Sequence, residues 1–199
     1  MTMPKQNRAV EKIDLMPLDT YEKNRKEIRQ ALVNYKKNRR IPLGPYSTFY
    51  FESYETMLGQ IQEMIYIEKG GDEQLKDELQ AYNPLIPKGT ELVATLMFEI
   101  DDPILRSDFL GKVGGIENNV YMKIGDDEIN ATPEKDLDRT SDEGKASSVQ
   151  FLHFNFEKNQ IEKFKNLNTN ILIGIRHKYY NHEIQISKDN QESLIKDFN

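Results

Sequence analysis

The chain has 199 residues, 37% of them hydrophobic and 30% charged, with a formal net charge of −6. That length supports one substantial domain, and the composition is that of a globular chain rather than a disordered one. No run approaches the roughly 18 apolar residues of a membrane helix, and the lack of cysteine excludes disulfides, a thiolate nucleophile and a Cys-ligated iron–sulfur cluster.

Residues 1–12 read as a flexible polar tail, with no apolar stretch of a secretory signal, so a cytoplasmic location is expected. Asp19 and Glu22 suggest a capping box opening a helix that runs to about Arg40. Tyr21, Ile28, Leu32 and Tyr35 share one side of it. The turn Pro42–Pro45 ends it, and a short strand follows at 47–51. Tyr54, Met57, Leu58, Ile61 and Ile65 mark a second helix from about Tyr54 to Glu68, stopped by Gly70-Gly71. Asp72 then caps a shorter helix through Tyr82. After Pro87 the apolar period switches from 3.6 to 2, giving a strand over 92–100 buried on both faces. Asp102-Pro103 caps a helical turn or two reaching Leu110. A hairpin follows at 120–130, then a polar stretch at 132–147 expected to be a mobile loop. Strands at 148–156, 170–177 and 182–186, a helix at 159–166 and a C-terminal helix capped near Ser187 complete the chain. Helices early and strands late, without helical crossovers between most of the late strands, imply an α+β fold with a largely antiparallel sheet. The expected organisation is a single domain over 13–199, helix-rich over 13–90 and sheet-rich over 91–199.

Charge is unevenly spread: residues 1–43 hold 11 Lys+Arg against 5 Asp+Glu, and the rest holds 16 against 28. A basic head on an acidic body either meets an acidic partner or packs on the chain's own acidic groups.

Several ordered blocks carry a family resemblance. They are Lys37 through Pro45, Phe51-Glu52 leading to Thr56-Met57, Gln60 through Met64, Glu78-Leu79 through Tyr82–Pro87, Ala94-Thr95-Leu96, and Ser148 through Phe154. The chain resembles, over nearly its whole length, the bacterial family known as domain of unknown function 3501. Genes of that family lie beside a rubrerythrin-like protein and an iron–sulfur oxidoreductase of the heterodisulfide-reductase type. The resemblance thus implies an accessory role in redox or peroxide metabolism, and it assigns no catalytic residue.

Three polar constellations are candidates for function. A four-residue loop at 178–181 would set His177 opposite His182, close enough for two imidazoles to share an ion. With His153 and carboxylates such as Glu52 or Glu63, they would suit a divalent metal. The resemblance carries His177 and Tyr180 better than His182, which points instead to a proton-transfer or small-molecule contact. Glu52, Thr56, Gln60 and Glu63 form a polar ridge on the second helix, suited to acid–base work or to pairing with Arg39 and Arg40. Lys23, Arg25, Lys26, Arg29, Lys36, Lys37, Arg39 and Arg40 form a basic surface for an anion, a partner's carboxylates or nucleic acid. Nucleic acid is disfavoured by the acidic body and by the lack of a recognised reader fold. The leading expectation is a non-catalytic accessory protein docking an iron–sulfur or rubrerythrin-like partner through the basic helix and the 132–147 loop. The alternatives are a metal-dependent enzyme or metal carrier, and a nucleic-acid binder.

Overall fold

A computed structural model of the chain describes residues 8–134 and 144–199. The fold is α+β, and the chain divides into two compact units: Met1–Lys37 with Glu52–Lys88, and Asn38–Phe51 with Gly89–Asn199.

The first unit is helical. α1 spans Leu18–Lys36 and starts directly after Pro17, with no side-chain cap. The expected Asp19–Glu22 capping box is therefore absent; proline's fixed φ already presets the first turn, and the Pro17 carbonyl accepts from Thr20 and Tyr21. The helix also ends before Arg40, because residues 37–39 tighten into a 3₁₀ turn and Arg40 already belongs to a strand. α2 (Tyr54–Glu68) opens on a box in which Ser53 and Thr56 bond reciprocally, and closes on Lys69 in the left-handed region. α3 (Gly71–Tyr82) follows. Gly59 of α2 lies against Leu32 of α1, where a Cβ would be 2.6 Å from Leu32 Cδ2, so a larger residue would force that side chain to shift.

Two side-chain amides bind the segment ahead of α1 as a paired strand would. Asn83 accepts from Val10 N at 2.7 Å and donates to Val10 O at 3.1 Å. Gln62 accepts from Met16 N at 2.7 Å and donates to Met16 O at 3.1 Å. Residues 1–7 of the expected tail lie outside the described residues, whereas Val10 is buried.

The second unit holds two sheets. Three strands of the first are β1 (Arg40–Leu43), β2 (Ser47–Phe51) and β3 (Glu91–Phe98). Four strands of the second are β4 (Val120–Ile124), β5 (Asp127–Asn130), β8 (Ile171–His177) and β9 (Tyr180–Gln185). The remaining strands, β6 (Thr132–Pro133) and β7 (Val149–Asn155), join the first sheet, giving the orders β1-β2-β3-β7-β6 and β5-β4-β8-β9. Every pairing among the described residues is antiparallel. Inward residues of both sheets, including Phe49, Leu92, Leu152, Phe154, Met122 and Ile173, form one apolar core. Leu92 through Leu96 are all buried, as the apolar run on β3 implies.

α4 (Pro103–Lys112) is capped by Asp102, whose carboxylate accepts from Ile104 N and Leu105 N at 2.8 Å. α5 (Lys158–Lys165) and α6 (Lys188–Ile195) complete the unit. Of the expected loop at 132–147, residues 135–143 lie outside the described residues, while Thr132 and Pro133 pair with His153 and Leu152. β6 carries no sequence signal, being two residues long and half proline.

Candidate functional site

The basic residues divide by the face of α1 they occupy. Arg25 turns toward α2, where its Nε lies 3.1 and 3.2 Å from the two oxygens of Glu63 and its Nη2 completes a fork. Tyr21 donates to the same carboxylate at 2.6 Å. These donors hold the Glu63 carboxyl below its ordinary range, the Arg25 hydrogen bond being the largest cause. Burial, reinforced by the Glu63 hydrogen bond, pushes the Tyr21 hydroxyl far up. Glu63 is thus the chain's own counter-ion for the basic helix, paired with Arg25 rather than with Arg39 or Arg40.

Beside this pair runs an open groove of about 530 Å³, lined by Glu22, Arg25, Lys26, Arg29, Gln30 and Val33 of α1 and by Tyr66 of α2. Glu22, Lys26, Arg29 and Val33 follow one another at spacings of four, three and four, so they share a face. Tyr66 donates to Glu22 at 3.1 Å, and the Arg25 guanidinium sits 4.9 Å above the Tyr66 ring. Glu22 and Arg25 are thereby engaged. Lys26 makes no side-chain hydrogen bond or ion pair among the described residues, and Arg29, 59% exposed, only grazes Glu63 at 4.0 Å. Lys36 is half-buried, Lys37 is exposed, and Arg40 lies exposed over the Tyr50 ring at 5.1 Å.

Arg39 is not a surface cation. It is 1% exposed, donates to Phe51 O at 3.0 Å and to Ser193 O at 3.1 Å, and pairs with Asp197. It cannot reach a partner or an anion in solution; the carboxylate it was expected to seek is the chain's own.

The remaining ridge residues serve α2. Glu52, buried at the foot of the helix, accepts from Thr56 Oγ1 at 2.6 Å, and Gln60 reaches Tyr82 Oη at 3.4 Å. Glu52 is buried, whereas Gln60 is half-buried.

The last hairpin differs from expectation by two residues. Its loop is Lys178-Tyr179, so His177 faces Tyr180, Ile175 faces His182, and Ile173 faces Ile184. His177 and His182 still share a sheet face, but as diagonal neighbours about 7–8 Å apart rather than as an opposed pair. His177 Nδ1 accepts from Tyr179 N at 3.3 Å. His182 packs edge-on against Tyr180 at 4.5 Å and over Gly44, whose φ of 62° and lack of Cβ leave room for both rings. Tyr180 is a buried latch. Its hydroxyl donates to Leu43 O at 2.6 Å and accepts from Tyr46 N at 3.1 Å, fastening the hairpin to the β1–β2 turn. That role leaves no free hydroxyl for proton transfer.

His153, on β7, lies between two carboxylates: Nδ1 is 2.9 Å from Glu91 and Nε2 is 2.8 Å from Glu134. The two glutamates approach opposite ends of the ring and so share no point with an imidazole lone pair. Among the described residues, no three His, Asp or Glu side chains converge where an ion would sit. No helix is long and apolar enough to cross a membrane among them.

The family model for a protein of unknown function, DUF3501, matches residues 9–198. The chain belongs to the DUF3501 family. The DUF3501 chain is also similar to a solved structure, a novel protein of unknown function from Burkholderia pseudomallei K96243. The two are 31% identical with a TM-score of 0.89, over 96% of this chain and 100% of that one. Among curated proteins nothing matches. Several blocks that carry the DUF3501 resemblance hold residues with structural work to do: Arg39 with Asp197, Gln62 with Met16, and Asn83 with Val10.

Sequence reasoning missed Glu91 and Glu134 as partners of His153, and Val33 and Tyr66 as walls of the groove. Glu91 was legible as a polar residue opening an apolar strand; Glu134 carried no such mark. Val33 was the one apolar residue on the basic side of α1.

Proposed function

We propose that this protein is a non-catalytic binding protein that receives an acidic protein partner along the groove of α1. The carrying observation is the placement of Lys26 and Arg29. Glu63 is engaged by Arg25 and Tyr21, and Glu22 by Tyr66, so these two cations stand over an open groove with half-exposed Val33 beside them. Carboxylates on a partner would meet them with little desolvation cost, and Val33 with the Tyr66 ring offers an apolar foothold. The partner class rests on the genes that accompany the family: an iron–sulfur oxidoreductase or a rubrerythrin-like protein, to which this chain would be an accessory.

The test is calorimetric titration of the purified chain with the purified rubrerythrin-like protein and, separately, with the oxidoreductase. Binding should weaken as salt rises and fall at least about tenfold, about 1.4 kcal/mol, in the double variant K26E/R29E. Failure of both proteins to bind at low salt, or binding indifferent to K26E/R29E, would overturn the reading.

A further inference from the structure

The sandwiching of His153 between two carboxylates has a stoichiometric consequence. A carboxylate only accepts hydrogen bonds, and a neutral imidazole has a single N–H. With Glu91 at 2.9 Å from one ring nitrogen and Glu134 at 2.8 Å from the other, both contacts are hydrogen bonds only when the ring carries two protons. We propose that His153 is a proton-controlled clasp that fastens the edge strand β6 to β7, engaged as the imidazolium and opened when one proton leaves.

The two carboxylates are not equally able to withdraw. Glu91 sits on β3 opposite Asn155 of β7, and its side chain is 12% exposed. Glu134 follows a strand of two residues, one of them a proline without an N–H, and its side chain is 25% exposed. Apart from the clasp, this end of β6 is tied by Glu134 N to Phe151 O at 3.0 Å. When the ring becomes neutral, its one N–H stays with the more buried carboxylate, Glu91. Glu134, left facing the ring's lone pair, turns to water, and β6 loses its outer anchor.

Among the described residues, the charged groups acting on the ring are Glu91 from β3 and Glu134 beyond β6. The pairing partners Val93 and Thr132 are uncharged, as are Phe151 and Asn155 along β7. The Glu91 hydrogen bond is the largest influence, and with Glu134 it outweighs burial, so the imidazole pKa lies above its ordinary 6.5. A raised value means that the stabilisation from the closed clasp is complete below the ordinary value and is lost as pH climbs through the higher folded-state value.

Long-range proton–nitrogen NMR of the full chain, with the His153 signals assigned through H153Q, reads the ring directly. Hydrogen-exchange protection of the Glu134 amide, corrected for intrinsic rates, reads the strand. The expected result is two protonated nitrogens well below the midpoint, a titration midpoint above 6.5, and protection that falls with that same midpoint. E134Q should lower the midpoint and make the protection insensitive to His153 titration, while the circular dichroism stays that of the wild type. A midpoint at or below 6.5, or Glu134 protection that stays flat across the His153 titration, would overturn the proposal.

Discussion

Replacing Arg39 with methionine isolates the buried ion pair of the second unit. The guanidinium is 1% exposed and its partner Asp197 8% exposed, so R39M leaves a carboxylate buried without its counter-charge. It also removes the donors to Phe51 O and Ser193 O. Breaking a buried pair from one side costs about 3–5 kcal/mol, against a total stability of about 5–15 kcal/mol for a typical domain. At about 2–4 °C per kcal/mol for a chain of this size, the melting point should drop by roughly 6–20 °C. The chain has no tryptophan, so urea unfolding is best followed by far-UV circular dichroism. D197L should cost a comparable amount by stranding the guanidinium. Because the double variant strands neither charge, R39M/D197L should lose at least about 2 kcal/mol less than the two single losses together. A loss under about 1 kcal/mol for R39M, or strict additivity in the double variant, would refute the account of Arg39 as a buried structural ion.

Tyr180→Phe keeps the aromatic packing but removes the bonds to Leu43 O and from Tyr46 N, and should destabilise by about 1–3 kcal/mol in the same unfolding assay. Asn83→Ala should free the segment at Val10, raising its hydrogen exchange and its cleavage by protease well before global unfolding. Glu63 has a depressed carboxyl pKa because Arg25 and Tyr21 hold its ionised form. Its contribution is therefore complete above the ordinary value of 4.5 and lost as pH falls through the lower folded value. Stability measured from pH 6 to pH 2 should fall less steeply in Glu63→Gln than in the wild type, and parallel curves would contradict this assignment.

The sequence made the element types readable because most segments carry a clean period: α2 over Tyr54–Glu68 and the apolar alternation on β3 are local facts. What escaped it was non-local. Arg39 and Asp197 stand 158 residues apart, and His153 is 62 residues from Glu91, so no local pattern links them. The hairpin register slipped for a different reason. Lys178-Tyr179 has no residue at positive φ and hence no Gly or Asn to mark a two-residue loop. A slip of two residues also leaves every side chain on its own face, so hydrophobic alternation cannot detect it. For the groove, sequence supplied the cations but not their pairing. That Arg25 is engaged while Lys26 is not depends on where Glu63 lies on α2.

β2 and β3 pair as adjacent antiparallel strands, with Phe51 opposite Ala94, yet the chain between them includes all of α2 and α3. The hairpin loop is in effect a pair of helices joined by two residues. For a flexible chain, closing so long a connection carries an entropic penalty that grows with the logarithm of its length. Two helices that pack on each other early, through local contacts, return the chain toward its starting point and shorten the distance left to search. Variants that loosen the α2–α3 pair should slow closure of the β2–β3 ladder even though they touch no residue of the sheet.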